Sequence, residues 1–406
     1  MVATVTSYLD ARNRASPGEG FDGVVRISAA NFYGSGVLLY DGRAVLTVAH
    51  LLKQSPAAPL TSAVVRFETA AGTQAITATQ ISIFPGYDAA NNNYDLALLW
   101  LPQAAPVAGN RYDLYRGSDE IGKTMTLAGY GVPGSGDGGV LEQYTGSPLR
   151  LKAQNRADVD VGTLKAALGN VMAWSPAAGT QLVADFDNGL SQQDALGRLL
   201  GVADPGLGLN EGMLTPGDSG GAALINGKLA GIASYGASLQ RGAVVPDVDA
   251  YTNASFGELG FWQRVSFYQQ WIDQSLRQRY PNAPTKPEEV QKTVAEGSTG
   301  TSYTYFLVQF NGVRADPNAW LSVDYLTRNG TAQAGLDYLA TSGTLVLYPG
   351  ENHAVVPVEI IGDTLPEPHE TLYLDVSNPI GGSFPGGAIV LTAMRTIADD
   401  DGWMGG

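Results

Sequence analysis

The 406-residue sequence contains no cysteine, which excludes disulfides, zinc–thiolate sites and cysteine nucleophiles together. Histidine is nearly absent as well. Of three in the chain, only His50 precedes residue 350, so base chemistry near neutral pH in that region rests on one side chain. No apolar run approaches the roughly 18 residues that an ordinary transmembrane helix needs. The opening MVATVTSYLDARNR lacks a basic end followed by an apolar stretch, and no signal peptide is read there. Basic residues are scarce: 24 against 39 acidic ones, a net charge of −15. The imbalance is uneven. Residues 288–406 carry 15 acidic and 4 basic side chains, a net of −11, and leave the first 287 residues at only −4. That distribution argues against nucleic acid as a partner and points to a cation-binding C-terminal module.

What is present reads as β structure in more than one domain. Hydrophobic residues make up 44% of the chain, enough for a sizeable core. Short runs such as GVVRIS, GSGVLLY, AVLTVA, AVVRFETA, LALLWL and TMTLAGYG are separated by Gly, Pro and Asn at the intervals of sandwiches and barrels. Helical spacing emerges in VSFYQQWIDQSLRQRY, where Val265, Tyr268, Ile272 and Leu276 recur on one face. The Pro-rich PNAPTKPEE follows directly and reads as a domain end and linker, placed at 281–287. Beyond it AWLSVDYLT, GTLVLYP, AVVPVEII and ETLYLDVS alternate again, giving a second, smaller β domain over 288–406. No solenoid repeat is visible.

The stretch TPGDSGGAAL (215–224) sets Ser219 between an aspartate and two glycines. A plain Gly-rich strand connection fits that pattern. So does a nucleophile whose neighbouring backbone N–H groups converge on the atom under attack. His50, in AVLTVAHLL, is the one available base, and Asp95, at the mouth of the apolar run in NNNYDLALLWL, is a candidate carboxylate to hold it. Each has a bland reading alone, as a packed histidine and a turn aspartate.

Together LTVAHLL, YDLALLWL and GDSGGAAL resemble the three motifs of the chymotrypsin/trypsin-like serine peptidases, in that family's order of His, Asp and Ser. TLAGYG (126–131), GIASYG (231–236) and GFWQRVSFYQQWI (260–272) resemble its supporting segments, so the likeness covers roughly residues 20–280. It implies two six-stranded β-barrels with the active site in the cleft between them. It implies too that Ser219 attacks, His50 moves the proton, Asp95 holds the imidazolium, and the N–H groups of Gly217 and Ser219 form an oxyanion hole. By the same likeness Ser234 bonds Asp95, residues Ser234, Tyr235 and Gly236 pair with substrate, Met213 floors the primary pocket, and Gly236 and Gly260 leave room at its walls. An apolar floor favours an uncharged, apolar substrate side chain.

The chain departs from the family in three ways. No Ile-Val-Gly-Gly tetrad occurs in residues 1–30, so residues 1–20 are a candidate pro-segment, with Arg12 and Arg14 as cleavage points, or else Asp218 is satisfied within the uncut chain. Disulfides are missing. The stretch from Lys152 to Asn210 is longer than a compact member needs, and is read as surface loops that shape or cover the cleft. No acidic cluster is foreseen within residues 1–287.

The tail segments VAEGSTG, VDYLTRNGTAQAGLDYLATSGTLVLYPGE, IIGDTLPEPHETLYLDVSNP and TIADDD resemble a Calx-beta domain, the calcium-binding sandwich of sodium/calcium exchangers. The likeness implies an immunoglobulin-like sandwich and Ca²⁺ donors at Glu296, Asp337, Asp363, Glu367, Glu370, Asp399, Asp400 and Asp401. His353 and His369 are read as surface residues. The whole is expected to be all-β: a two-barrel peptidase domain (21–280) with a short terminal helix, then the sandwich. The expected function is a secreted or periplasmic bacterial serine endopeptidase, acting on protein or peptide as a monomer. Its one expected cofactor is Ca²⁺ in the tail, and catalysis needs none. A silent, protease-shaped adhesion protein and an esterase with the same triad are the alternatives.

Overall fold

In the computed structural model, residues 2–53, 58–141, 143–249 and 251–402 are described. The chain divides into two compact units: residues 1–39 with 43–271, and residues 40–42 with 272–406. By packing, then, the division falls inside the terminal helix, ahead of the Pro-rich stretch read as a linker.

The first unit is built on two seven-stranded antiparallel sheets. One runs, edge to edge, Gly72–Ala78, Ala63–Thr69, Val24–Ala29, Phe32–Leu38, Ala44–Thr47, Ala97–Trp100 and Gln80–Ile83. Its two edge strands are separated in sequence by Thr79 alone. One bent run of chain therefore supplies both edges, and the sheet closes as a six-stranded barrel without an open edge. The second sheet repeats the device in the order Leu151–Arg156, Thr124–Gly129, Ala222–Ile225, Lys228–Ala237, Leu259–Arg264, Gln181–Asp185 and Val159–Asp160. Here Ala157 and Asp158 form the corner. Strand Leu151–Arg156 alternates buried and half-buried positions, as a barrel wall with one filled face requires.

The stretch from Lys152 to Asn210 is not a set of surface loops. It contributes three barrel strands and the helices Val161–Leu168 and Ala195–Leu200. Val161, Leu164, Leu168, Ala195, Leu196 and Leu199 pack with Leu259 and Phe261 in a core of their own. The sequence reading failed because Gly and Asp interrupt the runs, while helices this short take their stability from packing, not from periodicity. Near the start of the chain, Val2–Thr4 forms a buried strand, antiparallel to Gly212–Leu214 and parallel to Gly134–Ser135. The terminal helix runs Val265–Arg277, and Val265, Tyr268, Ile272 and Leu276 are all buried, as their spacing predicts.

The second unit is a sandwich. A five-stranded sheet, in the order Thr293–Ala295, Val390–Ala398, Glu370–Ile380, Leu321–Asn329 and Ser342–Leu347, faces a pair formed by Thr301–Gln309 and His353–Ile361. Phe306, Val356 and Val358 from the pair meet Tyr325, Leu345, Leu372 and Leu374 from the larger sheet in one core. Register sets Ala295 opposite Ala398 and Glu370 opposite Ile397. The acids Glu296, Glu370 and Asp399 are thereby delivered to the same end.

Candidate active site and acidic clusters

The structure brings His50, Asp95 and Ser219 into one hydrogen-bonded line. His50 opens the last turn of a short helix, Ala49–Leu52, just after strand Ala44–Thr47. Its Nδ1 lies 2.7 Å from Asp95 Oδ2, and its Nε2 lies 2.9 Å from Ser219 Oγ. Asp95 also accepts the His50 backbone N–H at 2.8 Å and Ser234 Oγ–H at 2.6 Å. An ionised Asp95 can only accept, so Nδ1 carries the proton and Nε2 is left to accept from the serine. Burial alone would lower the His50 pKa, but the Asp95 charge and hydrogen bond outweigh it and hold the imidazole above its ordinary 6.5. Burial alone would raise Asp95, yet the His50 charge and the bonds from His50 and Ser234 hold it below 3.8.

The loop carrying Ser219 is clamped by a residue the sequence reading passed over. Ser35, fully buried in strand Phe32–Leu38, gives its N–H to Ser219 O (2.8 Å) and its hydroxyl to Gly217 O (2.9 Å). Gly217 sits at φ +96°, a left-handed conformation that favours glycine. Among the described residues, the N–H groups of Gly217 and Ser219 have no protein acceptor. Two adjacent donors beside the serine are therefore left to bind an oxygen. Asp218 turns the other way: its carboxylate accepts Gly131 N–H (2.9 Å), Thr215 N–H (2.9 Å) and the Thr215 hydroxyl (3.1 Å). Burial still pushes its pKa up against these bonds.

Ser234 is itself anchored from behind. Gln263 Nε2 donates to Ser234 Oγ at 3.2 Å, and Tyr268 OH donates to Gln263 Oε1 at 2.8 Å, so the terminal helix supports Asp95 through two side chains. Tyr268 was legible only as an apolar helix position. Asn92 and Tyr94, in the loop leading to Asp95, have φ of +53° and +55°, conformations that β-carbons disfavour. That loop is pinned by the inserted stretch: Asn93 Oδ1 accepts Ala177 N–H (2.7 Å), Asn91 Oδ1 accepts Ser175 N–H (2.8 Å), and Asn92 O accepts Gln181 Nε2–H (2.8 Å).

Tyr235 stacks on Phe261 at 4.3 Å, accepts Trp174 Nε1–H at 3.1 Å and donates to Gln181 at 2.8 Å. With His50, Lys53, Tyr87 and Asn92 it lines a cavity of about 360 Å³ beside the imidazole. Gly236 and Gly260 face each other across the ladder, and Met213 is fully buried against both. A β-carbon on Gly236 would meet only Leu259 O at 3.6 Å and Met213 Cε at 4.0 Å. A β-carbon on Gly260 would lie 2.5 Å from the Trp262 indole and 2.8 Å from Met213 Sδ, so that wall is already filled.

All eight tail acids foreseen as donors lie at one end of the sandwich. Oxygens of Asp337, Glu367 and Glu370 fall within 4.8 Å of one another. Glu296 feels Asp363, Glu367, Asp399 and Asp337; burial and those charges push it up to about 7. Burial, Asp337 and Glu367 push Glu370 to about 7 as well. Asp400 accepts Gly297 N–H (2.9 Å), and Asp401 Oδ2 is buried without a partner. Repulsion of this kind, with an orphaned oxygen, fits a hard cation.

The expectation of no acidic cluster before residue 288 fails. Asp158, Asp185, Asp187, Asp194, Asp204 and Glu211 converge in the first unit, each no more than 8% exposed. Spread over 54 residues, they leave no local motif.

Residues 12–161 match the Trypsin family, and residues 293–401 match the Calx-beta domain family. The chain joins a trypsin-like domain to a Calx-beta domain. The trypsin match includes His50 and Asp95 and ends at Val161, where the inserted helices begin, so Ser219 stands on geometry and its own motif. Sodium/calcium exchanger 2 of Rattus norvegicus is 38% identical over 97 residues, 21% of this chain and 10% of the exchanger. Sodium/calcium exchanger Calx of Drosophila melanogaster is 35% identical over 88 residues, 22% of this chain and 9% of that protein. The chain therefore spans about a tenth of the curated relatives it matches. Among solved structures, mouse neuropsin, a serine protease, aligns with TM-score 0.46 and 19% identity over 65% of this chain and 98% of its own. Among the described residues no helix is long and apolar enough to cross a membrane.

Proposed function

We propose that the trypsin-like domain is a serine endopeptidase that hydrolyses peptide bonds through an acyl-enzyme. The observation that carries this reading is the unbroken line Asp95–His50–Ser219, with two unused N–H groups beside the serine. Ser219 Oγ attacks the scissile carbonyl while His50 Nε2 takes its proton. The developing oxyanion is met by the N–H groups of Gly217 and Ser219, and removal of one such donor typically costs about 10²–10³ in rate. His50 then protonates the leaving amine, and a water, activated by the same nitrogen, releases the acyl group. Asp95 keeps the proton on Nδ1 and stabilises the imidazolium. Substrate pairs along Ser234–Gly236, and the apolar surroundings of Met213 and Trp262 favour a small, uncharged side chain at the cleaved position.

The Calx-beta domain is proposed to bind Ca²⁺ through Glu296, Asp337, Asp363, Glu367, Glu370 and Asp399–Asp401. The ion would supply charge neutralisation and a rigid domain end, and no catalytic step passes through it. Affinities of extracellular calcium modules lie near 10⁻⁴–10⁻³ M, which suits a protein working outside the cytoplasm.

Labelling with a fluorophosphonate tests the peptidase reading. Labelling of the parent that disappears in Ser219→Ala is expected; a parent that never labels, in any calcium concentration, would falsify it. Comparing peptide and ester turnover then separates the peptidase from an esterase.

A further inference from the structure

The six acids buried in the trypsin-like domain are the molecule's least balanced feature. Asp185 closes strand Gln181–Asp185, Asp187 lies two residues on, and Asp194 precedes helix Ala195–Leu200. One oxygen from each of these three lies within 4.8 Å of the other two. Asp158, at the barrel corner, lies close enough to Asp185 to feel its charge. Gly206 packs over Asp187 and Glu211: a β-carbon there would lie 2.6 Å from Asp187 Cβ and 3.3 Å from Glu211 Oε2.

Donors account for only part of this. Asp185 Oδ2 accepts Leu196 N–H (2.7 Å), Asp194 Oδ1 accepts Gly197 N–H (2.6 Å), and Glu211 Oε2 accepts Leu207 N–H (2.6 Å). Asp204 accepts Gly206 N–H (3.0 Å) and pairs with the Arg156 guanidinium (2.9 Å). Asp185 Oδ1 and Asp187 Oδ1 are buried with no hydrogen-bond partner at all. These residues are 1% and 4% exposed, and both belong to the triangle of Asp185, Asp187 and Asp194. Buried unpaired carboxylates are strongly unfavourable.

We infer that Asp185, Asp187 and Asp194, with Glu211 and Asp158 beside them, form a structural calcium site in the trypsin-like domain, separate from the Calx-beta site. Oxygens that share one Ca²⁺ at 2.3–2.6 Å are at most about 5 Å apart, and the triangle meets that limit. A purely carboxylate donor set, without His or Cys, selects a hard cation. Magnesium prefers to keep waters and a tighter octahedron, for which a buried multi-carboxylate pocket is a poor fit. The ion would tie the inserted stretch to the barrel next to Gly212–Leu214, the strand that carries Met213.

The test uses the full chain, stripped with EDTA, in which Asp337→Asn and Glu370→Gln remove the tail's binding. Equilibrium dialysis with metal counting is expected to find one Ca²⁺ retained, and adding Asp187→Asn is expected to abolish it. Melting gives an independent signature. Asp187→Asn should melt higher than its parent in EDTA, because a buried carboxyl that must either stay protonated or repel its neighbours is gone, and lower in about 5 mM Ca²⁺, a concentration above the weak limit for such modules. No Ca²⁺ bound in the tail-disabled chain overturns the inference, as does binding of Mg²⁺ alone. An Asp187→Asn chain that melts higher in both media and keeps its Ca²⁺ overturns it too, and assigns the cluster to shared protons. Should Asp187→Asn fail to fold, the count in the tail-disabled chain decides alone.

Discussion

Asp95 and Asp187 lie in the same trypsin-like domain and are equally hidden, at 3% and 4% exposure, yet they are held in opposite states. Asp95 receives three hydrogen bonds and faces an imidazole, and its pKa is depressed. Asp187 Oδ1 receives none and faces other acids; burial and those neighbours push it to about 10. Depth of burial is therefore not what decides the charge of a carboxyl group here. The number of donors and the sign of the neighbours decide it. One arrangement stabilises a charge that catalysis would use, and the other stores repulsion that only a proton or a cation relieves.

The comparison can be broken most severely at its well-supported end. Asp95→Asn should reduce the rate of peptide hydrolysis by about 10⁴, because the amide can hold the wrong imidazole tautomer; steady-state kinetics measure it. A variant that retains near-parental rates would show that Asp95 does not orient His50. The tail offers the next largest effect, now on stability. At a hundredfold excess over Kd, Ca²⁺ should add about 2.7 kcal/mol to the Calx-beta transition, on the order of 10 °C for a domain near 100 residues. Calorimetry of the full chain should show that shift blunted by Glu370→Gln while the Ser219 labelling rate is unchanged.

Ser234→Ala sharpens the contrast by removing one donor from Asp95 and leaving the others. A hydrogen bond to a charged group contributes about 1.5–3 kcal/mol, so a loss of roughly 10–10² in kcat/KM is expected. The smallest effect is the pH dependence. His50 must be neutral to accept the Ser219 proton, so rate should climb about tenfold per pH unit and level off above 6.5, where its raised pKa lies. Stability runs the other way: the charged His50–Asp95 pair contributes fully below pH 6.5 and is lost as pH rises through the folded-state pKa. A pH–rate profile and melting over the same window check both slopes, and Asp95→Asn should flatten the second.

Legibility in the sequence followed the range of the interaction. The serine motif, the lone histidine before residue 350 and the acid beside LALLWL could be read because each sits in a short segment that is recognisable on its own. The same holds for helix Val265–Arg277, whose apolar face repeats within a few turns. The tail acids were readable because strand ends carry them in recognisable runs, and the register of Glu370 with Ile397 only had to gather them.

What the amino-acid order alone determined was thus the all-β class, the two-module plan, the triad and the tail's acidic end. Tertiary structure decided the rest. It made the stretch from Lys152 to Asn210 into barrel strands and a packed helical layer, and filled the wall at Gly260 with Trp262. It also gave Asp218 its donors on Gly131 and Thr215, and collected six scattered acids into one buried cluster. The physical reason is the same in each case: the partner lies across a ladder or a packed face, tens of residues away. Leu182 opposite Trp262 and Ala184 opposite Gly260 are pairings set by the register of a closed barrel, which no local pattern of side chains encodes.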